Sequence, residues 1–258
     1  MPSVDELAAL CENFMFSPRR VPGVCATCFN FTDGHELCFA CAHQPSVIDV
    51  VAPISYSVAH EQLHHALASY KRLTGEVAKR LTLQLAAVLW RYLDGHEQCV
   101  ARAAGVTRFP LVTTVPSGDR GRDEHHPLRW IVAGIVEPTR DRHERLLERS
   151  FADVDPRAFS PDKFAAARRL DGEPVLLVDD TWTTGANARS AAAALRAAGA
   201  GPVAALVIGR HVNREWRQND QHLRALERSF ERTHCALCAP ASTRVGANEQ
   251  PRAGRLAS

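Results

Sequence analysis

The apolar positions of the chain fall into short continuous runs that alternate with stripes of helical spacing. The continuous runs are bounded by turn residues and are short enough to be buried parallel strands. They lie at residues 47–56, 111–115, 175–178 and 203–208. Helical spacing is found at residues 60–70, 76–93, 128–136, 188–198 and 219–231. This alternation predicts an α/β fold in which helices cover both faces of a parallel sheet.

The run at 175–178 leads into the most informative part of the chain. Asp179 and Asp180 stand at the carboxyl end of this predicted strand, and a small hydroxyl-rich turn then opens into an alanine-rich helix. Such a turn directs backbone N–H groups at one phosphate, and the helix dipole favours the negative charge. Side-chain donors and a glycine that permits close approach are supplied by Thr183, Thr184, Gly185 and Asn187. The adjacent carboxylates suit a ribose diol or Mg²⁺; the alternative is that acids and threonines only cap a turn and a helix.

Four of the eight cysteines form two Cys-x2-Cys pairs near the N-terminus, separated by nine residues. They are Cys25, Cys28, Cys38 and Cys41. This spacing predicts two knuckles around one tetrahedral Zn²⁺ with four thiolate ligands. Four protein ligands saturate the ion, so we expect a structural site. A disulfide or a redox pair is the alternative.

The remaining cysteines give weaker signals. Cys235 and Cys238 form a third pair, but one pair cannot complete a zinc site. The pattern therefore favours packed or exposed free thiols, although Cys11, a histidine such as His211, or another chain could complete a site. Cys99 stands alone and is expected in the core.

Composition excludes several classes of protein. The 258-residue chain has a net charge of +2 and a pI near 8.2, which gives no drive toward nucleic acid or an anionic membrane. Its first ten residues lack a basic region followed by an apolar core, so we expect no secretory signal. Charged residues interrupt the longest apolar stretches, so no membrane insertion is expected. We expect a cytoplasmic protein, in which cysteines need an explanation other than disulfides.

The segment that begins at Asp179 resembles the phosphoribosyl-pyrophosphate (PRPP) loop of type I phosphoribosyltransferases. Apolar strand, acidic pair, Thr-Thr-Gly and helix occur in the same register. The resemblance implies that Asp179 and Asp180 are the catalytic-site acids that hold the ribose hydroxyls and the waters of Mg²⁺. It also implies that the loop wraps the 5′-phosphate through Thr181, Thr183, Thr184, Gly185, Ala186 and Asn187. Thr183 lies where 6-oxopurine salvage enzymes carry an aspartate, which argues against purine salvage.

A four-cysteine knuckle ahead of such a loop resembles the ComF family, competence-associated phosphoribosyltransferase-like proteins with an N-terminal zinc ribbon. The strand at 47–56, the helix that ends at Tyr70 and the run 115–117 fit this family as well. The run at 120–128 departs from it, because the family usually carries Arg-Gly-Phe-Asn-Gln in this region.

The same resemblance implies where pyrophosphate binds. Ser117 and Gly118 would offer backbone N–H groups, and Lys71, Arg120 or Arg122 would supply positive charge. Each of these three basic residues is otherwise expected to be a solvated surface residue.

We expect three regions in the chain. Residues 1–45 form an N-terminal helix and the zinc-ribbon knuckle, 46–240 form the phosphoribosyltransferase-like domain, and 241–258 form a disordered tail. Within the domain, the charged segment 137–173 is predicted to be a solvated helix. A mobile flap over the phosphates is the alternative.

Three functions are compatible with these features. The first is transfer of the phosphoribosyl group from PRPP, with Mg²⁺, to an unknown nitrogenous acceptor. The second is a non-catalytic PRPP- or nucleotide-binding partner of competence or DNA-processing proteins, as the family name suggests. The third is a nucleic-acid-binding zinc-ribbon protein, which the near-neutral charge disfavours. Turnover and oligomeric state are left open, because fold and loop do not establish them.

Overall fold

A computed structural model of the chain describes residues 2–117, 123, 126–226 and 230–238. Four strands form a parallel sheet, and two short strands form an antiparallel ribbon. In chain order they are β1 (Val50–Val58), β2 (Leu111–Thr114), β3 (Leu147–Arg149), β4 (Phe164–Ala166), β5 (Val175–Trp182) and β6 (Val203–Val212). The parallel sheet has the order β1-β6-β5-β2, and the ribbon pairs β3 with β4.

The helices of the described residues flank this sheet. They are α1 (Val4–Glu12), α2 (Phe39–His43), α3 (Gln62–Ser69), α4 (Gly75–Ala103), α5 (Pro127–Trp130), α6 (Glu137–Arg140), α7 (Ala186–Ala197) and α8 (Asn219–Ala225). A π-helical turn, Ile131–Ile135, continues α5, and a 3₁₀ turn, Pro161–Lys163, precedes β4.

Both faces of the sheet are buried, because successive residues of the central strands are apolar. On β5, Leu176 and Val178 pack in one core with α3 and α4, whereas Val175 and Leu177 pack in another with α7. This arrangement confirms the predicted α/β fold, a parallel sheet with helices on both faces. Cys25, Cys28 and Cys38 belong to the α7 core, so the N-terminal knuckle packs against the sheet.

Several strands and helices begin or end at residues other than those that the sequence predicted. Strand β5 runs past the apolar run to Trp182, because its polar residues still pair with β6, Asp179 opposite Val207. Pro53 is tolerated within β1 because this strand lies at the edge of the sheet. Helix α4 continues to Ala103, and α8 ends at Ala225.

The prediction of a solvated helix over 137–173 is wrong. The segment contains α6, the β3–β4 ribbon and the 3₁₀ turn, and prolines interrupt it at 156 and 161. Its arginines are partly turned inward: Arg142 donates to Glu97 Oε1 at 2.6 Å and to the Phe109 carbonyl at 2.7 Å. The predicted tail, 241–258, lies outside the described residues.

Among the described helices, none combines the length and the apolarity that a membrane span requires.

Candidate functional site

The acidic pair lies at the carboxyl end of β5, where ligands bind in open parallel sheets. Asp180 is buried, and its Oδ2 accepts a hydrogen bond from the Tyr70 hydroxyl and pairs with Lys71 Nζ. Burial first, and then the charge of Asp180, raise the pKa of Tyr70 well above 10, so the phenol remains a donor. Lys71 therefore balances the charge of the Asp180 carboxylate, and Tyr70 and Lys71, which directly follow α3, hold it in position.

Asp179 is half-buried and faces a cleft. Its Oδ1 accepts the Asp180 backbone N–H at 2.9 Å. Burial and the neighbouring Asp180 raise the pKa of Asp179 to about 7, although the positive charge of Lys71 opposes the shift. Asp179 is therefore poised to change its protonation state near neutral pH.

The turn that connects β5 to α7 depends on one glycine. Gly185 has φ +80°, the left-handed region that other residues adopt only at a cost. A Cβ at this position would lie 2.2 Å from Cζ2 of the buried Trp182 indole. The Ala186 N–H donates to Thr184 Oγ1 at 3.3 Å, and α7 begins there. Glycine is thus needed for both the backbone conformation and the packing on Trp182.

A cleft of about 290 Å³ opens above this turn. The structure brings into it seven of the residues that the sequence predicted for PRPP: Asp179, Thr181, Thr183, Thr184, Gly185, Ala186 and Asn187. Pro156 and Arg157, from the connection between β3 and β4, line the same cleft. Sequence reasoning missed Arg157, whose placement depends on the fold of the ribbon.

A buried lysine fixes this connection over the turn. Lys163 Nζ donates to Asn187 Oδ1 at 3.1 Å and to the Pro156 carbonyl at 3.2 Å, and also to the Ala158 carbonyl. Burial, followed by the charge of Arg149, lowers the pKa of Lys163. An ammonium group only donates, so Asn187 presents its oxygen to Lys163 and turns its NH₂ group away. Sequence reasoning gave no signal for Lys163.

The two predicted pyrophosphate residues that the structure describes, Ser117 and Lys71, both contact acidic side chains of the protein. The Ser117 N–H donates to Asp123 Oδ1 at 2.7 Å, and Asp123 Oδ2 also lies 3.0 Å from Arg145 Nη2. Lys71 is the ion-pair partner of Asp180. Gly118, together with Arg120 and Arg122, lies outside the described residues.

The four N-terminal cysteines meet as predicted. Their Sγ atoms all lie within 4.8 Å of one another, with Cys28 and Cys38 3.6 Å apart. The chain reverses after Cys28 because Phe29 adopts φ +59°, and the Tyr56 hydroxyl donates to its carbonyl at 2.9 Å. Four cysteine sulfurs in a compact, largely buried group fit a tetrahedral Zn²⁺, which would hold the knuckle together.

Two arginines connect this cysteine cluster to the turn between β5 and α7. Arg189 on α7 contacts Cys41 and the Thr184 carbonyl. Arg210 on β6 donates from Nη1 to the Trp182 carbonyl at 3.0 Å and from Nε to the Cys28 carbonyl at 2.9 Å. The two sites are thus connected through buried guanidinium groups.

The prediction for Cys99 is wrong, and the prediction for the third cysteine pair is incomplete. Cys235 and Cys238 are free thiols, one buried and one exposed, as predicted. However, the structure gathers them with His96 and with Cys99, which was predicted to be an isolated core residue. Cys99 is also only half-buried. His96 and Cys99 are far in sequence from Cys235 and Cys238, and only the packing of the C-terminal segment on α4 brings the four residues together.

No protein-family model and no curated protein matches the chain.

Proposed function

We propose that the chain is a phosphoribosyltransferase-like protein of the ComF type. It binds PRPP with Mg²⁺ and transfers the phosphoribosyl group to a nitrogenous acceptor, with release of pyrophosphate. One observation carries this proposal: the Asp179 carboxyl group at the end of β5 lines the same cleft as a left-handed glycine turn and the first residues of α7. That combination suits a sugar phosphate better than a phosphate alone.

The 5′-phosphate is assigned to the turn at 183–187. Backbone N–H groups and the α7 dipole favour an anion there, and the exposed hydroxyls of Thr183 and Thr184 add donors. Arg157 lines the same cleft and supplies the charge that a phosphate dianion requires. Lys163 assists indirectly, since it orients Asn187 and fixes the segment that carries Arg157.

The ribose is assigned to Asp179, whose ionised carboxylate accepts hydrogen bonds from a diol. Carboxylate and phosphate oxygens are hard donors that fit Mg²⁺, and bound Mg²⁺ would neutralise charge on the departing pyrophosphate. In the reaction the C1–O bond to pyrophosphate breaks, a C1–N bond forms, and the acceptor nitrogen loses its proton. The chain needs no nucleophile of its own, because it acts by fixing ribose and phosphate in position.

A second function is favoured by a specific observation. The Ser117 N–H is bound to Asp123, and Asp180 is bound to Lys71 and Tyr70. Two of the groups that the sequence predicted for pyrophosphate and ribose therefore have internal partners. This arrangement suits a protein that binds PRPP or a nucleotide without turnover. Its partners would be competence or DNA-processing proteins, as the resemblance to the ComF family implies. Binding without pyrophosphate release would distinguish it from the transferase.

The first test is titration calorimetry of the zinc-loaded protein with PRPP and Mg²⁺. We expect binding by the wild type, none by Asp179→Asn/Asp180→Asn, and weaker binding by Arg157→Ala. Removing a charged hydrogen bond costs about 1.5–3 kcal/mol, roughly a 10- to 100-fold loss of affinity. Asp171→Asn, at an exposed acid, and Arg169→Ala, at an exposed arginine, are matched controls. Unchanged binding by the double variant overturns the site, and no binding by the folded wild type overturns the function.

A further inference from the structure

A second cluster of side chains that could bind a metal ion lies beside helix α4. His96 and Cys99 project from α4 one turn apart, and Cys235 and Cys238 come from the described C-terminal segment, 230–238. One ligand atom of each residue lies within 4.8 Å of the other three. None of the four lines the phosphate cleft.

The spacing of the ligand atoms fits a tetrahedral zinc ion. Cys235 Sγ and Cys238 Sγ are 3.4 Å apart, and His96 Nδ1 lies 3.8 Å from Cys238 Sγ and 3.9 Å from Cys99 Sγ. Zinc bonds of about 2.3 Å to sulfur and about 2.0 Å to nitrogen separate tetrahedral ligands by roughly 3.5–3.8 Å. The four side chains therefore surround a position that zinc can occupy with only small adjustments.

The histidine is held in the orientation that a metal ligand needs. His96 Nε2 lies 2.7 Å from the Arg232 carbonyl oxygen, which can only accept, so Nε2 carries the proton. Nδ1 is then the unprotonated nitrogen, and it faces the sulfurs of Cys99 and Cys238. A backbone carbonyl that fixes the tautomer is the usual outer partner of a zinc-bound histidine.

Backbone N–H groups also point at two of the sulfurs. The Cys235 N–H points to Cys238 Sγ at 3.2 Å, and the Leu237 N–H points to Cys235 Sγ at 3.4 Å. The buried Tyr92 hydroxyl lies beside Cys235, and within the part of the chain described no hydrogen bond of normal geometry satisfies it. A thiolate at Cys235 would give this hydroxyl an acceptor.

We propose that His96, Cys99, Cys235 and Cys238 bind a second zinc ion, which fastens the C-terminal segment to α4. Four protein ligands leave zinc no open position, so the site is structural rather than catalytic. Arg232 of the same segment pairs with Glu12 on α1, and Cys235 is buried in the core that contains α4. The ion would therefore tie α4 to the C-terminal segment, which the Arg232–Glu12 ion pair also joins to α1. A redox pair at Cys235 and Cys238 would not require His96 and Cys99 to converge.

Zinc content of the full chain, purified under reducing conditions, is the direct test. We expect two ions per chain in the wild type and one each in Cys38→Ser/Cys41→Ser and Cys99→Ser/Cys238→Ser. The second pair of substitutions avoids the buried Cys235 and changes only a half-buried and an exposed side chain, so we expect the fold to be retained. His234→Gln is the matched control, since His234 precedes Cys235 in the chain but is not in the cluster, and it should retain two.

Two further measurements keep the proposal falsifiable. Co²⁺ loaded into Cys38→Ser/Cys41→Ser should give the visible bands of tetrahedral thiolate coordination. Amide exchange over 230–238 should speed up in Cys99→Ser/Cys238→Ser and remain unchanged in His234→Gln. The proposal is overturned if the wild type holds one ion that survives Cys99→Ser/Cys238→Ser, if the cobalt bands are absent, or if peptide mapping shows a Cys235–Cys238 disulfide.

Discussion

Arg189 Nη2 lies 3.0 Å from Cys41 Sγ, while Nη1 of the same guanidinium donates to the Thr184 carbonyl at 2.8 Å. One buried side chain thus touches the four-cysteine cluster and the turn assigned to phosphate. Its guanidinium also stacks over the Trp182 ring, 5.1 Å from the centroid. Four thiolates around a bound Zn²⁺ would carry a net negative charge, and the buried arginine would then stabilise the cluster while it supports the turn.

Arg189→Lys should weaken both sites. A lysine keeps the charge but cannot reproduce the forked contacts to Cys41 and Thr184, so we expect a loss of zinc affinity of roughly tenfold or more. PRPP affinity should fall in parallel, because the turn loses a backbone contact. Competition with a chromophoric chelator measures the first effect and calorimetry the second.

Arg196→Lys is the control for this experiment. Arg196 lies on the same helix, α7, but pairs with Asp49 and the Gly201 carbonyl rather than with the cluster. Equal zinc affinities in the two variants would show that Arg189 plays no particular role at the cluster.

Gly185→Ala should destabilise the protein more than Gly172→Ala. Both glycines have φ near +80°, so each substitution places a side chain in the left-handed region, at a cost of about 1–2 kcal/mol. Only at Gly185 does the new Cβ also collide with Trp182; nothing lies within 4 Å of a Cβ at Gly172. Urea unfolding of the two variants separates the backbone penalty from the collision. Equal losses would contradict the packing of Trp182 beneath the turn.

Local patterns predicted the parts of this structure whose residues are close in sequence. The β5–turn–α7 unit and the four-cysteine cluster each lie within about twenty residues, so spacing alone indicated them. The parallel sheet followed from the alternation of strands and helices. Contacts between distant segments were not accessible in this way: Lys163 reaches Asn187 only after the ribbon has folded over α7.

The third cysteine pair illustrates the same limit. His96 and Cys99 have the spacing of one helical turn, which was a usable signal, but their partners lie at the far end of the chain. No local pattern states that the C-terminal segment returns to α4. When only sequence spacing is considered, two members of the four-residue cluster are therefore interpreted as two unconnected thiols.

The raised pKa of Asp179 predicts a pH-dependent stability that one substitution removes. The pKa is about 7 in the folded protein, against an ordinary value of 3.8, because burial and Asp180 disfavour the charged carboxylate. Between these two values the folded state binds more protons than the unfolded state, so this group lowers the free energy of unfolding as pH rises from about 4 to about 7. Asp179→Asn should abolish that contribution, and urea unfolding at several pH values measures the difference between the two proteins.

The free energy of unfolding of Asp179→Asn must be subtracted from that of the wild type at each pH, because other groups titrate in the same pH range. Burial lowers the pKa of His126 and His143, so these two groups increase the free energy of unfolding as the pH rises. Their contribution is the same in the wild type and in Asp179→Asn, and it cancels in the difference. Asp220→Asn is the control: a hydrogen bond from Arg214 lowers the pKa of Asp220, so its contribution is lost only as pH falls below about 4. In the proposed site the ionised carboxylate accepts the ribose hydroxyls, so PRPP affinity should rise through the pH range in which the stability contribution of Asp179 falls. Parallel pH profiles for the wild type and Asp179→Asn would show that this carboxyl group ionises at an ordinary pKa.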